Sequence, residues 1–415
     1  MKIAFTIIAF ISLLCPNLLF GQIDQVSTGP SYSQQAYYKI STGEVTQVSN
    51  EAWDIAFSSQ GLQDAGVLIN ESSSFMSSSL NVYLSSQTDW SVPITDAASY
   101  VEADRLLNPK DNWTQGAFNT LQRSPSPFDY GWGSYDPMTN QVTGDRIFVI
   151  QLRDLSFIKF QIQQLSGIDY TFRYADLDGA NESTVTITKN GDPDSPLIHF
   201  SFDTGEIVDV PSDYDLVFQR YITPLPDGTG DTIDYTVTGV LLSQGTEAVA
   251  AVGVDPMTVD EAEYKDQYSP KLETIGHQWK IFDFQSGWLV DADKAYFVKT
   301  NEGEIYKIVF LDFEGSSTGV TTFEKTLVRL STSTQNIEDL DIAVYPNPTS
   351  DFLNVTTAEE DLQVLLYDAQ GRLVYTQNKE GTSQQIDLTS FDSGVYNLIL
   401  RGKDVFVTQA IIVNK

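Results

Sequence analysis

The chain has 415 residues, which at about 150 per domain allows two to four folded units with cores of their own. Asp and Glu number 56 against 24 Lys and Arg, and the net charge of −32 repels nucleic-acid phosphates and anionic lipid headgroups, so no nucleic-acid partner is expected. Only 19% of the residues are charged while 41% are hydrophobic and 12% aromatic, so the chain has the apolar surface to fold and is not a disordered polyanion.

At the N-terminus Lys2 precedes an apolar run over 3–14, followed by Pro16 and the small-residue end Phe20-Gly21-Gln22. This is the form of a secretory signal peptide over 1–22. Cys15, the only cysteine, then belongs to the leader. Nothing further along reaches the roughly 18 apolar residues of a membrane helix, so no transmembrane segment is expected in the mature chain.

Beyond residue 22 short runs alternate apolar and polar residues. Trp53-Asp54-Ile55-Ala56-Phe57, Phe157-Ile158-Lys159-Phe160-Gln161-Ile162 and Tyr170-Thr171-Phe172-Arg173-Tyr174 have the period of strands, and clusters such as Asp176-Leu177-Asp178-Gly179 mark turns. The fold class is all-β and antiparallel. The chain also resembles itself. Thr42-Gly43-Glu44-Val45 followed by Trp53-Asp54-Ile55-Ala56-Phe57 returns as Thr204-Gly205-Glu206-Ile207 followed by Tyr214-Asp215-Leu216-Val217-Phe218. Phe148-Val149 with Ile158-Lys159-Phe160 returns as Phe297-Val298 with Tyr306-Lys307-Ile308, and Tyr170-Thr171-Phe172 as Thr321-Thr322-Phe323. Order and pleat phase are kept, which predicts two tandem β domains over 23–195 and 196–331. In the second, Thr258-Val259-Asp260-Glu261 has the capping-box form and predicts a short helix.

The polar stretch 332–340 reads as a linker. In 341–415, runs at 352–355, 364–367, 373–375, 395–400 and 405–413, with tight turns at 369–372 and 401–404, predict a small β-sandwich. Its residues Tyr345-Pro346-Asn347-Pro348, Tyr367-Asp368 before Gly371-Arg372, Ile386-Asp387-Leu388, Ser393-Gly394-Val395-Tyr396 and the terminal Val413-Asn414-Lys415 resemble the type A sorting domain of the Bacteroidetes type IX secretion system. The resemblance implies the secretion machinery as partner and a location secreted or on the outer-membrane surface, after removal of the signal peptide and the C-terminal domain. The motif positions it carries over are Tyr345, Pro346, Asn347, Pro348, Gly371, Arg372, Gly394 and Tyr396.

The repeated region resembles the HmuY family of secreted or surface haem-binding all-β proteins. The residues that carry this are Thr42-Gly43-Glu44 with Trp53 to Phe57, Trp132 with Tyr135-Asp136-Pro137, Phe148-Val149, Lys159-Phe160, and Tyr170 through Gly179, with a weaker echo from Tyr296-Phe297-Val298 to Tyr306-Lys307-Ile308. The resemblance implies haem as cofactor, a role in iron acquisition and an outer-membrane haem receptor as a further partner. Haem needs two axial donors of imidazole or thioether type. Past the leader these are His199, His277, Met76, Met138 and Met257. His199 lies in Ile198-His199-Phe200, a strand opening the second domain, and reads as a packed or edge histidine; Met76 beside Phe75 reads as core. Met257 and His277 flank the short helix, with Trp279, Phe282 and Phe284 as an apolar wall and Lys271 or Lys280 for the propionates, so they form the candidate metal and haem site. Met138, in the region between Trp132 and Phe148, is the candidate donor of the first domain.

The sequence has no HExxH, Walker-A or GxSxG motif and no Cys/His cluster, which argues against an enzyme. Asp176, Asp178, Asn181 and Glu182 have the spacing of a calcium loop but read as a turn. Two other readings stand beside haem binding. One is an extracellular adhesion or glycan-binding module using the 6 Trp and 20 Tyr; the other, ranked last, is a carboxylate-based hydrolase.

Overall fold

The structure, a computed structural model, describes residues 21–61, 64–73, 80–101, 104–123, 126, 128–191, 195–329, 342–357, 362–369, 372–379, 381–401 and 406–415. The leader up to residue 20 with Cys15, the predicted linker, Met76 and Gly371 lie outside the described residues. The chain divides into two compact units, one of Ile23–Lys325 and one that includes Thr326–Lys415.

The first unit begins with β1 (Gln22–Ser27), β2 (Gln34–Lys39) and β3 (Glu44–Ser49). It continues through β4 (Ile55–Ser58), β5 (Val67–Ile69), β6 (Asn81–Leu84), β7 (Gly133–Asp136), β8 (Gln141–Gly144), β9 (Phe148–Gln151), β10 (Phe157–Ser166), β11 (Asp169–Asp176), β12 (Ser183–Thr188), β13 (Leu197–Ser201) and β14 (Glu206–Val208). It ends with β15 (Leu216–Pro226), β16 (Thr232–Leu242), β17 (Glu247–Val252), β18 (Lys280–Asp283), β19 (Gly287–Val290), β20 (Lys294–Lys299), β21 (Ile305–Phe313) and β22 (Val320–Arg329).

The pairings define two bodies. In the first, β12-β11-β10-β9-β6 form an outer sheet, extended by β8 and β7, and β14-β13-β4-β5 an inner one. In the second, the outer sheet is β1-β22-β21-β20-β17 and the inner one β3-β2-β15-β16. The two sheet orders correspond strand for strand. The strands around residue 195 fall differently from the predicted domains 23–195 and 196–331: β13 and β14 lie in one sheet with β4, and β2 and β3 in one sheet with β15. The first body is therefore the continuous stretch β4 to β14, and the N-terminal strands close the second body across the chain.

The central strands of the inner sheets, such as β4, β5 and β13, are buried on both faces, which explains their apolar runs, whereas the edge strands β3 and β14 and the first half of β16 are exposed. Ile55 and Phe57 of β4 and Ile198 and Phe200 of β13 enter the core of the first body with Trp132, Phe160 and Phe172, all buried. The intervening Ala56 and Leu197 turn the other way and pack with Tyr37, Val217 and Leu241 of the second body. The two bodies also share an aromatic pattern. Phe57 stacks on Phe172 at 5.1 Å, with Phe200 edge-on at 5.1 Å; Phe218 stacks on Phe323 at 5.7 Å, with Tyr38 edge-on at 5.3 Å.

Each hairpin that joins an inner sheet is fastened by one buried aspartate. The Asp54 amide donates to Phe200 O (2.9 Å), and its carboxylate accepts from the Phe202 amide (2.6 Å) and pairs with Arg153. The Asp215 amide donates to Tyr38 O (3.0 Å), and its carboxylate accepts from the Ile40 amide (2.8 Å) and lies 3.5 Å from Lys39 Nζ. Each side chain thus adds one rung where the ladder ends. Burial pushes the Asp215 carboxyl up to about 6, while the same neighbourhood holds Lys39 above its ordinary value through Asp215 and Glu302.

The predicted helix after Thr258 is a single 3-10 turn over Glu261–Glu263, and its cap is Asp260, whose side chain accepts from the Ala262 amide at 3.0 Å. The Thr258 hydroxyl instead donates to Asp255. Asp176 and Asp178 form a turn, with Asn181 donating to Asp176 and the Ala180 amide to Asp178.

The second unit is a sandwich of β23 (Ala343–Tyr345), β24 (Phe352–Thr356) and β27 (Ser383–Asp387) against β26 (Leu373–Lys379), β25 (Leu362–Tyr367), β28 (Gly394–Arg401) and β29 (Phe406–Val413). Its core includes Leu353, Leu366, Ile386, Leu398 and Ile411. β23 and β27 are additions to the predicted strands.

Breaking a buried ion pair by removing one partner costs about 3–5 kcal/mol. Asp54→Ala and Asp215→Ala should each lower the unfolding free energy of the full chain by about that amount in urea titration, against a change within about 0.5 kcal/mol for the exposed Glu44→Ala. A loss below about 1 kcal/mol in both aspartate variants contradicts the fastening role.

Candidate functional site

The inner sheets meet along a polar network that crosses from one body to the other. Gln35 of β2 donates to Asn70 Oδ1 (3.0 Å) and accepts from the Tyr37 hydroxyl (2.6 Å) and the Trp53 indole (3.3 Å). Glu71, in the 3-10 turn after β5, accepts from the Ile222 amide of β15 (3.1 Å) and from the Asn108 amide (2.8 Å), and pairs with Lys110 at 2.8 Å. Asn108 in turn bonds both the N–H and the C=O of Ile69, so its amide acts as a neighbouring strand for the edge of β5. These bonds fix the segment 108–110 as a rigid wall.

Between this wall and the end of β13 lies a cavity of about 50 Å³, lined by Tyr37, Trp53, Trp113, His199, Tyr214 and Glu71 among others. A wider chamber of about 290 Å³ shares Asn108, Pro109 and Lys110 with it and is completed by Ile222, Pro224, Asp111, Lys271 and Glu273. His199 is 9% exposed and packs edge-on to Trp53 at 4.7 Å. Burial pushes its imidazole down to about 3, so it is neutral at any ordinary pH. No protein group hydrogen-bonds either ring nitrogen among the described residues.

The residues expected to hold haem are elsewhere. Met138 is 91% exposed in the turn between β7 and β8, and Met257 is 78% exposed in the turn after β17. His277 is half-buried, with Nδ1 3.2 Å from the Tyr221 hydroxyl, and burial followed by the nearby Lys280 lowers its pKa. It follows Gly276, whose φ of 61° falls in the left-handed region where a side chain is strained. None of the three lines either cavity. The expected apolar wall divides as well: Trp279 is buried on Phe310 at 4.0 Å, while Phe284 is 97% exposed on the β18–β19 hairpin. Lys280 is buried between Trp279 (4.1 Å) and Phe313 (4.6 Å), donates to Thr238 O, and burial lowers it to about 7; Lys271 pairs with Asp111. Lys280 is thus not free for a propionate, while Lys271 is solvent-exposed. Among the described residues no group of three or more His, Cys, Asp and Glu side chains is placed to hold a metal ion. Pockets for organic ligands run about 300–1,000 Å³, so the 50 Å³ cavity does not admit a tetrapyrrole. The residues present do not fit haem.

Glu71, Asn108, Trp53 and Tyr214 escape a search for metal donors. The usable signal is the matched pair Trp53-Asp54 and Tyr214-Asp215: each aspartate is a fastening, and the aromatic residue before it faces the cavity.

In the second unit the motif residues organise one edge. Cis peptide bonds precede Pro346 and Pro348. Between them the Asn347 side chain donates to Ala410 O (2.7 Å) and accepts from the Ile412 amide (2.9 Å). Arg372 bonds Asp368 through Nε at 2.8 Å. Gly394 opens β28 opposite Val413, and buried Tyr396 donates to Asp392 O.

Residues 31–174 match the family model described as HmuY protein, and residues 343–414 match that of the secretion system C-terminal sorting domain. The chain thus carries an HmuY domain and a type IX sorting domain, and the latter marks it for export to the cell surface or secretion. The HmuY match runs from β2 to β11 and so spans strands of both bodies. No curated protein matches the chain. Among solved structures it is similar to PorZ, an essential bacterial surface component of the type IX secretion system of Porphyromonas gingivalis, at 13% identity over 68% of this chain and 41% of that one, with a TM-score of 0.17. The chain spans about two fifths of that neighbour's length. No helix among the described residues is long and apolar enough to cross a membrane.

Two outcomes follow. Met138→Ala and Met257→Ala should each change stability by less than about 0.5 kcal/mol, as exposed positions do, in thermal or urea unfolding. His199 has a folded pKa below its unfolded value near 6.5, so its contribution is present above that pH and is lost as pH falls toward 3. The stability lost between pH 7 and pH 4.5 should therefore be about 2–3 kcal/mol smaller in His199→Phe than in the unchanged chain.

Proposed function

We propose that the Ile23–Lys325 unit is an extracellular binding protein rather than an enzyme, built from two copies of an HmuY-type fold and delivered by its sorting domain. The corresponding sheet orders of the two bodies support the two copies. The observation that carries the binding role is the cavity between the inner sheets, into which a buried histidine faces with both ring nitrogens free. A ligand at this position would hydrogen-bond the ring nitrogens. The carboxylate that lines the cleft, Glu71, is bound to Lys110 and two backbone amides, and among the described residues no carboxylate hydrogen-bonds His199.

Haem is not the ligand of this reading. Full-chain protein titrated with haem should show no saturable Soret shift at about one equivalent that Met257→Ala, His277→Ala or Met138→Ala abolishes. A saturating shift lost in those variants overturns the assignment to the inter-sheet cavity. For the delivery route, deletion of 343–414 in the native host should leave the protein in the periplasm, and undiminished appearance in the medium or on the cell surface contradicts it.

A further inference from the structure

We propose that the outer edge of β12 is a self-association surface, at which a second copy of the chain adds its own β12 in antiparallel register about a two-fold axis at Thr186. The surface is separate from the inter-sheet cavity, so the binding role above stands or falls without it.

The phase of the ladder shows what this edge offers. The Lys189 amide donates to Ile168 O at 2.8 Å, one step beyond the regular pairing of β12 with β11. Bonded and non-bonded positions alternate in an antiparallel pair, so Ser183, Val185 and Ile187 exchange bonds with β11, while the N–H and C=O groups of Thr184, Thr186 and Thr188 point away from the sheet. These three threonines are exposed, and among the described residues no strand or loop backbone bonds their outer side. The pairing with β11 has no register shift, and the strand has no Pro or Gly. Natural edges are usually blunted by charge, Pro or a bulge, and β12 lacks all three.

Charge selects the occupant. Two chains of net charge −32 repel each other, and like charges that face across paired strands are destabilising. The other edges of the four sheets in the two bodies are closed or acidic. Bridges cover β6 from Leu106 and β17 from Ser269, and the Asn108 side chain covers β5. Acids lie in β1 (Asp24), β3 (Glu44), β7 (Asp136), β14 (Glu206) and the exposed half of β16 (Asp234). β12, with the sequence Ser183-Thr184-Val185-Thr186-Ile187-Thr188, has no charged residue. With the axis at Thr186, that residue meets its own counterpart, Thr184 meets Thr188, and on the core side Val185 meets Ile187, so these facing pairs are all β-branched and uncharged. Val185 is only partly buried against the first core, and the added strand covers it. A neutral strand has nothing with which to select a charged peptide, whereas it matches itself at each of these positions. One short edge buries less than the roughly 1,200 Å² of a stable complex, so the dimer is weak, with a Kd on the order of 10–100 μM.

The test is sedimentation of the full chain from about 1 to about 300 μM. A monomer–dimer equilibrium is expected that stops at the dimer, because isologous pairing uses up the edge. It should tighten about threefold or more between roughly 50 and 500 mM NaCl, as salt screens the repulsion. Deuterium uptake over 183–189 should slow as the concentration rises. Thr186→Glu sets like charges against each other at the axis, and Thr186→Pro removes an N–H that the ladder with β11 does not use; each should weaken the dimer about tenfold or more, and Thr186→Val should keep it within about threefold. Thr186→Glu changes an exposed side chain and keeps the test open if Thr186→Pro does not fold. A chain that stays monomeric throughout, assembly beyond the dimer, a dimer unchanged by Thr186→Glu, or protection that leaves 183–189 unaffected overturns the proposal.

Discussion

Two buried carboxylates hold the larger unit together. A β-ladder ends where its strands diverge, and the last amide of each hairpin would be buried without an acceptor, at a cost of about 1–3 kcal/mol. Asp54 and Asp215 each supply that acceptor from the opposite chain segment, with a cation from Arg153 or Lys39 to offset the desolvated charge. Because Asp215 lies after the whole first body and Ile40 before it, this contact makes the two ends of the unit meet. The N-terminal hairpin therefore closes the second body, and neither predicted domain is a packing unit by itself.

That closure creates the site. The central strands of the inner sheets are buried on both faces, one against the core of their own body and one against the other body, and the second contact is imperfect. Asn70, Gln35, Glu71 and Asn108 satisfy one another across it, as buried polar groups must. At the edge of this network the packing opens beside His199 and Tyr214. A cavity at the junction of two bodies is built from residues more than a hundred positions apart, and so no local motif announces it.

The turns that carry Met138 and Met257 show why donor chemistry misleads in this chain. A soft side chain on a tight turn, held by Asp136 or Asp255 accepting the methionine amide, is anchored by its backbone and leaves its thioether in solvent. The C-terminal sandwich is the opposite case. Tyr345-Pro346-Asn347-Pro348 and Gly394-Val395-Tyr396 are motifs of the linear sequence, and in the fold Asn347 and Gly394 both lie against β29, so the linear pattern and the edge it builds coincide.

The sequence by itself determined the all-β class, the matched blocks, the sorting domain and most strand positions, because alternation and turn residues act over a few neighbouring positions. It also placed His199 on a strand, as a packed or edge histidine. Which hairpin joins which sheet was decided only in three dimensions: the Thr42-Gly43-Glu44 and Thr204-Gly205-Glu206 hairpins have nearly the same local code, and the choice of partner strand depends on how the whole chain closes. The site follows the same rule. Imidazole and thioether are legible as chemistry, but whether they meet a cavity depends on burial, and burial belongs to the packing of distant segments.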